Sequence, residues 1–559
     1  MTGRSMLATL SFALLVSTAN AQQPAADLVV TNAKIYTVDD AHPRAQAMVI
    51  KDGKVIFVGD NRGARTFIGS NTQQMDLDGK TVIPGMVDAH GHLANLGQRL
   101  KGVDLVGTKS YDEVIQRVVE RAKVTPAGQW IRGRGWDQND WADTRFPSNE
   151  ALSKAVPNHP VYLTRVDGHA GLVNARAIQL AGVTAATKDP DGGRFIRDAA
   201  GNPTGVLIDA AQGIVSSKIP AVTPQEVREF TVAAISELNK WGLTGLHDAG
   251  ENAATVQVFT QLVKEGKYNL RNYVMLRDQD SIMDRFMAQP PIVGMEGRLW
   301  VHSIKLYIDG ALGSRGAALL EPYTDDPTNV GLLVARPEDI RRVAVKALKA
   351  GWQVNTHAIG DRGNRIVLDE FEKALKEVPK ADHRFRVEHA QILHWDDIPR
   401  FAQLGVIPSM QGSHATSDMY WAVNRLGPTR ALGAYPWRSL LNSGVVIPNG
   451  SDFPVESANP LISFHSFVTR QDENNWPTAG WYPEQRTTRE EALLSMTMWP
   501  AYSAFMEKES GSLTPGKFGD FVVLDQDIMT IPSEQILNTR VEMTVLGGKV
   551  VYRRETPRT

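Results

Sequence analysis

The sequence predicts an α/β protein: a (β/α)8 barrel of the TIM type, with a small β-sandwich formed by both chain ends and an insertion over the barrel mouth. Three observations predict it. Between about residues 83 and 504, short apolar or β-branched runs alternate with helix-patterned ones, as parallel βαβ units do. Polar side chains fall at the C-terminal ends of those runs, where a closed barrel collects its functional groups. Both ends of the chain, residues 22–82 and 505–559, read as short strands joined by turns.

In the N-terminal part, Lys51-Asp52-Gly53-Lys54 lies between Ala47 to Lys51 and Val55 to Val58, a strong hairpin signal. Asp520 to Leu524, Arg540 to Leu546 and Val550 to Tyr552, with Gly547-Gly548 between the last two, repeat the style. Two β-rich ends around a long α/β middle suggest one shared sandwich; two separate hairpin caps are the alternative. In the middle, Thr81 to Val87, Gly242 to His247, Ser303 to Ile308, Gln353 to His357, Phe385 to His389, Val406 to Gln411 and Val445 to Ser451 read as strands. Helices are expected over Pro224 to Lys240, Pro337 to Ala350 and Asn364 to Lys376. Residues of about 101–223 carry tryptophan, glycine and proline in irregular clusters and form the expected insertion.

Residues 1–21 read as a cleavable secretory signal: Arg4, an apolar run from Met6 to Val16, and Ala19-Asn20-Ala21 ahead of Gln22. Cleavage after Ala21 predicts a periplasmic or secreted protein with no stable membrane insertion afterwards. With 42% hydrophobic and 22% charged residues the chain is ordinary globular material. A net charge of -2 provides no long-range field toward nucleic acid, so the expected partner is a small molecule, with a homodimer as the candidate assembly. The absence of cysteine excludes thiolate catalysis and thiolate metal ligands, leaving histidine, carboxylate and modified lysine.

Asp88, His90 and His92 follow the first strand, and alternate residues share a strand face, so two imidazoles can bind one cation together. His357, His389 and Asp452 stand at three further strand ends. Each alone has an ordinary structural reading: a histidine satisfied by a hydrogen bond, or Ser-Asp as a helix N-cap. Their order, HxH, His, His, Asp, favours a metal site. Lys305 sits on an otherwise apolar strand, where an amine is costly unless neutralised or paired. A salt bridge to Asp309 or Glu388 is the plain alternative.

Ile83-Pro84-Gly85-Met86-Val87 ahead of the histidine pair resembles the first-strand motif of the metal-dependent amidohydrolase superfamily, amidohydrolase family 3. Lys305-Leu306-Tyr307-Ile308-Asp309-Gly310-Ala311-Leu312-Gly313-Ser314 is most similar to the branch of N-substituted formamide deformylases and their exported relatives. The similarity extends over Gly135-Trp136-Asp137, Asp167-Gly168-His169, His247-Asp248, the run from Gln411 to Asp418, and Ser451 to Val455. It implies two divalent cations, with zinc favoured by histidine-rich ligation, and a carbamate formed on Lys305 from carbon dioxide. His90, His92, Lys305 and Asp452 would hold one cation, and Lys305, His357 and His389 the other. It further implies hydrolysis of a C–N amide bond other than a peptide bond, in a small N-substituted amide, formamide or N-acyl compound. A hydroxide formed between the cations would attack, with Asp452 as proton carrier. His169 and Arg315 are candidate donors to the carbonyl oxygen, and Trp136, Trp421 and Tyr420 candidate walls for an apolar flank. Asp88 either orients an imidazole or caps the strand end. Two rival readings stay open: a mononuclear deaminase or cyclic amidase on the same fold, and a non-catalytic exported binding protein.

Overall fold

The computed structural model describes residues 25–165, 170–190 and 193–555; the expected signal peptide and the Asp167-Gly168-His169 motif lie outside the described residues. Eight parallel strands form the barrel: β1 Met86–Gly91, β2 Leu243–Glu251, β3 Arg271–Arg277, β4 Leu299–Tyr307, β5 Gln353–Ala358, β6 Arg386–His389, β7 Ile407–Gln411 and β8 Asn449–Gly450. They pair in that order. At the seam β8 meets β1, and the Asp452 amide donates to the His90 carbonyl at 2.7 Å. Gly450 permits this approach, because a Cβ there would stand 2.5 Å from the His90 nitrogen. The expected helices are present as Pro224–Lys240, Pro337–Ala350 and Asp361–Glu377.

Two strand expectations need correction, and one strand was not expected. The run Thr81 to Val87 divides: Thr81–Pro84 pairs with Phe521–Leu524 in a terminal sheet, and β1 begins at Met86. Gly85 stands at the break, its Cβ position 2.1 Å from Thr244 Oγ1, so no side chain fits there. The run Val445 to Ser451 contributes only Asn449–Gly450 as strand. β3 is missing from the sequence-based expectation altogether. Its signal is Tyr273-Val274-Met275-Leu276, but the preceding Arg271 and Asn272 read as exposed, whereas the barrel buries both.

The chain ends form two sheets. One contains Lys54–Gly59, Ala47–Lys51, Leu28–Thr31 and Gln73–Asp76; the other orders Lys549–Arg553, Val541–Leu546, Phe521–Leu524, Thr81–Pro84, Lys34–Tyr36 and Arg44–Ala45. Val30, Ile50 and Val55 of the first pack with Val82, Phe521 and Val545 of the second in one core. Both hairpin turns are left-handed, with φ of 51° and 74° at Asp52 and Gly53 and 56° and 75° at Gly547 and Gly548. Positive φ at both central residues is the turn geometry that matches strand twist.

A buried ion pair joins this unit to the barrel. Arg271 of β3 meets Asp520 through Nε at 2.5 Å and Nη2 at 2.7 Å, and both side chains are under a tenth exposed. Removing one partner strands a buried charge. Arg271→Ala is therefore expected to lose about 3–5 kcal/mol in denaturant unfolding, while a loss below about 1 kcal/mol would show that the pair behaves like an exposed one.

A third sheet, from Val103 to Asp209, has its own core around Leu105, Val118, Trp136, Leu163 and Leu172. It leaves the chain after the helix Leu93–Lys101, which follows the C-terminal end of β1, and returns through Pro224–Lys240 into β2. Among the described residues no helix is long and apolar enough to cross a membrane.

Candidate metal centre

His90 and Asp88 lie on β1, whereas His92 lies just beyond it, at the N-cap of the helix Leu93–Lys101. His90 is fully buried; its Nδ1 donates to Glu388 Oε2 at 2.5 Å, and its Nε2 faces Lys305 Nζ at 3.1 Å and Asp452 Oδ1 at 3.7 Å. His92 directs Nδ1 to the Ala249 carbonyl at 2.9 Å and Nε2 to Asp452 Oδ1 at 3.0 Å. His389 is anchored through Nδ1 by Gln411 Oε1 at 2.7 Å. His357 turns Nε2 toward Asp309, 3.6 Å from Oδ1, and its ring lies 4.5 Å from that of His389.

The backbone contributes as well. Consecutive strand residues point to opposite faces, yet Glu388 and His389 both reach His90, the two rings standing 5.0 Å apart. A φ of 76° at His389 turns that side chain into the barrel, and Asp452 holds a φ of 59°. Left-handed backbone at non-glycine residues costs of order 1–3 kcal/mol and clusters at functional sites.

Lys305 on β4 is buried, with Nζ 4.7 Å from the Tyr307 ring centroid. Neither salt bridge proposed for it forms among the described residues. Asp309 instead accepts the amides of Ala318, Ile359 and Gly360 at 2.8–2.9 Å, and Glu388 pairs with Arg386 at 2.7 Å. Burial pushes the lysine down to about 8, against the charges of Glu388 and Asp452, which raise it. Burial, then the charge of Lys305, lowers His90 to about 4 and His357 to about 3. Burial, then the neighbouring histidines, holds His389 well below its ordinary value. Asp452 is held well below the usual carboxylate range: burial works to raise it, but the His92 hydrogen bond and the surrounding histidines prevail.

The donor atoms of His90, His92 and Asp452 lie within 4.8 Å of one another, and so do those of His389, His414 and Asp452. The imidazoles of His90, His92 and His389, with outer nitrogens anchored and inner ones converging on the Asp452 carboxylate, are a fitting donor set for zinc-like divalent cations. The wall of the site depends on Arg386, fully buried, which meets His247 Nδ1 at 2.8 Å, the Ala89 carbonyl at 2.7 Å and Ser409 Oγ at 2.8 Å. Sequence reasoning missed Arg386, Gln411 and His414. For Arg386 the available signal was its alternation with Glu388 on one strand; for the other two it was their place in the run from Gln411 to Asp418.

Several proposed contacts fall elsewhere. Trp136 is core of the inserted sheet, fully buried with Nε1 donating to the Leu163 carbonyl at 2.8 Å, so it cannot line a substrate. Arg315 is committed to Asp325 through Nε at 3.1 Å and Nη2 at 3.0 Å and lies outside the cavity wall. Tyr420 is exposed and stacks on Trp476 with centroids 5.0 Å apart. His169 lies outside the described residues. Asp88 accepts from the His90 and Ser451 amides and from Ser451 Oγ at 2.7 Å, so it ties β1 to the β8 loop rather than orienting a ring. Trp421 does line the site, in a cavity of about 900 Å³ walled also by Leu312, Ile359 and Val455. A second, more polar cavity of about 1020 Å³, carrying Glu251 and Arg277, adjoins it past His92 and Tyr307, which border both.

Known proteins share this architecture. Residues 73–552 match the model of the amidohydrolase family. The chain is 34% identical to Protein LONG AFTER FAR-RED 3 of Arabidopsis thaliana, covering 94% of this chain and 92% of that one. It is 29% identical to the N-substituted formamide deformylase of Arthrobacter pascens, covering 94% and 98%. The crystal structure of an uncharacterized metal-dependent hydrolase from Pyrococcus furiosus superposes with a TM-score of 0.76 at 29% identity, over 90% of this chain and all of that one. Strand order, converging donors and these similarities agree that the chain belongs to the amidohydrolase family and has the barrel of a metal-dependent hydrolase.

Proposed function

We propose that this hydrolase cleaves the C–N bond of a small N-substituted amide, formamide or N-acyl compound, other than a peptide. The observation that carries the reading is the convergence of His90, His92, His389, Lys305 and Asp452, from four barrel strands, in the wall of one cavity. The similarity to a formamide deformylase supports the bond type. His90, His92 and Asp452 would hold one divalent cation, and His357 and His389 a second. Lys305 would stand between them as a carbamate, its neutral amine adding to carbon dioxide and releasing one proton. Zinc suits this set. When bound, such cations lower the pKa of water and polarise a carbonyl.

The residues supply the rest. Asp452 is ionised and sits at the centre, so it accepts a proton from the attacking water and returns it to the departing nitrogen. Water adds to the carbonyl carbon, the C–N bond breaks, and an acid and an amine result. Leu312, Ile359, Trp421 and Val455 receive an apolar flank. The test is metal analysis of purified protein together with a turnover screen of formamides, N-acyl amino acids and aryl amides. Two cations per chain, with activity lost on chelation and regained on adding zinc, are expected. One cation per chain favours the mononuclear deaminase or cyclic amidase; full metal content without turnover of any amide would remove the reading.

A further inference from the structure

We infer that His414 is a catalytic residue: it donates the hydrogen bond that holds the substrate's carbonyl oxygen close to Asp452. This rests on the amide-hydrolase reading and deepens it, for the carbonyl donor expected at His169 or Arg315 is not supplied by Arg315, which is tied to Asp325.

Position comes first. β7 ends at Gln411, which anchors His389, and the helix Gly412–Asp418 starts at the next residue. That helix is fixed to its surroundings: the Gly412 amide donates to Asn449 Oδ1 at 3.0 Å, the Ser413 amide to Ser463 Oγ at 3.3 Å, and Thr416 Oγ1 lies 3.0 Å from Ser466 Oγ. Gly412 packs against Phe467 so closely that a Cβ would lie 2.6 Å from that ring. His414 is thereby held parallel to His389, centroids 5.9 Å apart at 7°, in the wall of the cavity.

Chemistry follows from what the ring lacks. A ring nitrogen of His414, one of His389 and a carboxylate oxygen of Asp452 lie within 4.8 Å of one another, which leaves room for a small polar atom between them. His90, His92 and His389 each have one ring nitrogen anchored by a protein acceptor at 2.5–2.9 Å, as metal ligands commonly do. The His414 ring has no such partner among the described residues, and its Nε2 is enclosed and unsatisfied. A buried donor left without a partner is costly, and a substrate oxygen would satisfy this ring. Donors held in advance at the site of developing negative charge contribute strongly to acyl transfer.

The test compares metal-replete wild type with His414→Phe, which keeps the ring and loses the donor, and His414→Gln, which restores an N–H. Metal content, binding of methylphosphonate as a tetrahedral anion, and amide turnover are measured. Metal content is expected to match wild type in both variants. Methylphosphonate affinity is expected to fall about tenfold or more in the phenylalanine variant and to recover in part with glutamine, and kcat to fall by about 10²–10³-fold with KM nearly unchanged. Loss of metal in His414→Phe would make His414 a ligand instead, and unchanged methylphosphonate affinity would also overturn the inference. Metal content and anion binding are read without turnover, so a wild type that cleaves no amide would remove the amidase reading separately.

Discussion

Lys305→Ala is expected to lower turnover by more than the roughly 10–100-fold typical of losing an outer-shell partner, and acetate or formate to restore part of it. The lysine is buried on β4 with Nζ 3.1 Å from His90 Nε2 and has no carboxylate ion pair among the described residues. Truncation leaves a space lined by polar atoms that a small carboxylate can enter. Loss of the charge does not confound folding. The lysine pKa falls from 10.5 in the open chain to about 8 when folded, so between those values the unfolded chain binds more protons and stability rises with pH. At pH 7 the buried ammonium therefore costs stability, and its removal does not unfold the protein by this route. Turnover by the variant at the wild-type rate would eliminate the carbamate role.

Asp452→Asn is expected to keep most bound metal and lose about 10²–10⁴-fold in kcat, the range associated with a single acid–base group. The shapes are alike, and the asparagine Oδ1 keeps the place of the carboxylate oxygen that now lies 3.0 Å from His92 Nε2, so the local geometry persists. The capacity to carry a proton disappears together with the negative charge. Metal analysis and steady-state kinetics on one preparation separate the two effects. An active, metal-replete variant would move the proton transfer to another carboxylate of the same cavity wall, Asp418 or Glu456.

The barrel was legible because burial imposes periodicity: runs such as Ser303 to Ile308 and Phe385 to His389, separated by helices such as Pro337–Ala350, leave few other architectures. The histidines, Lys305 and Asp452 were legible because polar groups at apolar strand ends need a reason to be there. β3 was less so, since Arg271 and Asn272 look exposed until Asp520 and Asp248 arrive from distant parts of the chain to pair with them.

The same limit applies around the site. Trp136 and Arg315 carry the chemistry of substrate contacts, but packing commits one to the Leu163 carbonyl and the other to Asp325. Arg386 and Gln411 matter through partners 22 to 297 residues away, and His414 through a ring whose Nε2 has no partner among the described residues. Sequence by itself determined which residue types stand at which strand ends, because alternation and hydrophobic period act over a few neighbours. Tertiary structure alone decided which of them meet, because convergence depends on barrel closure at Gly450 and on the backbone turns at His389 and Asp452, where local pattern has nothing to say.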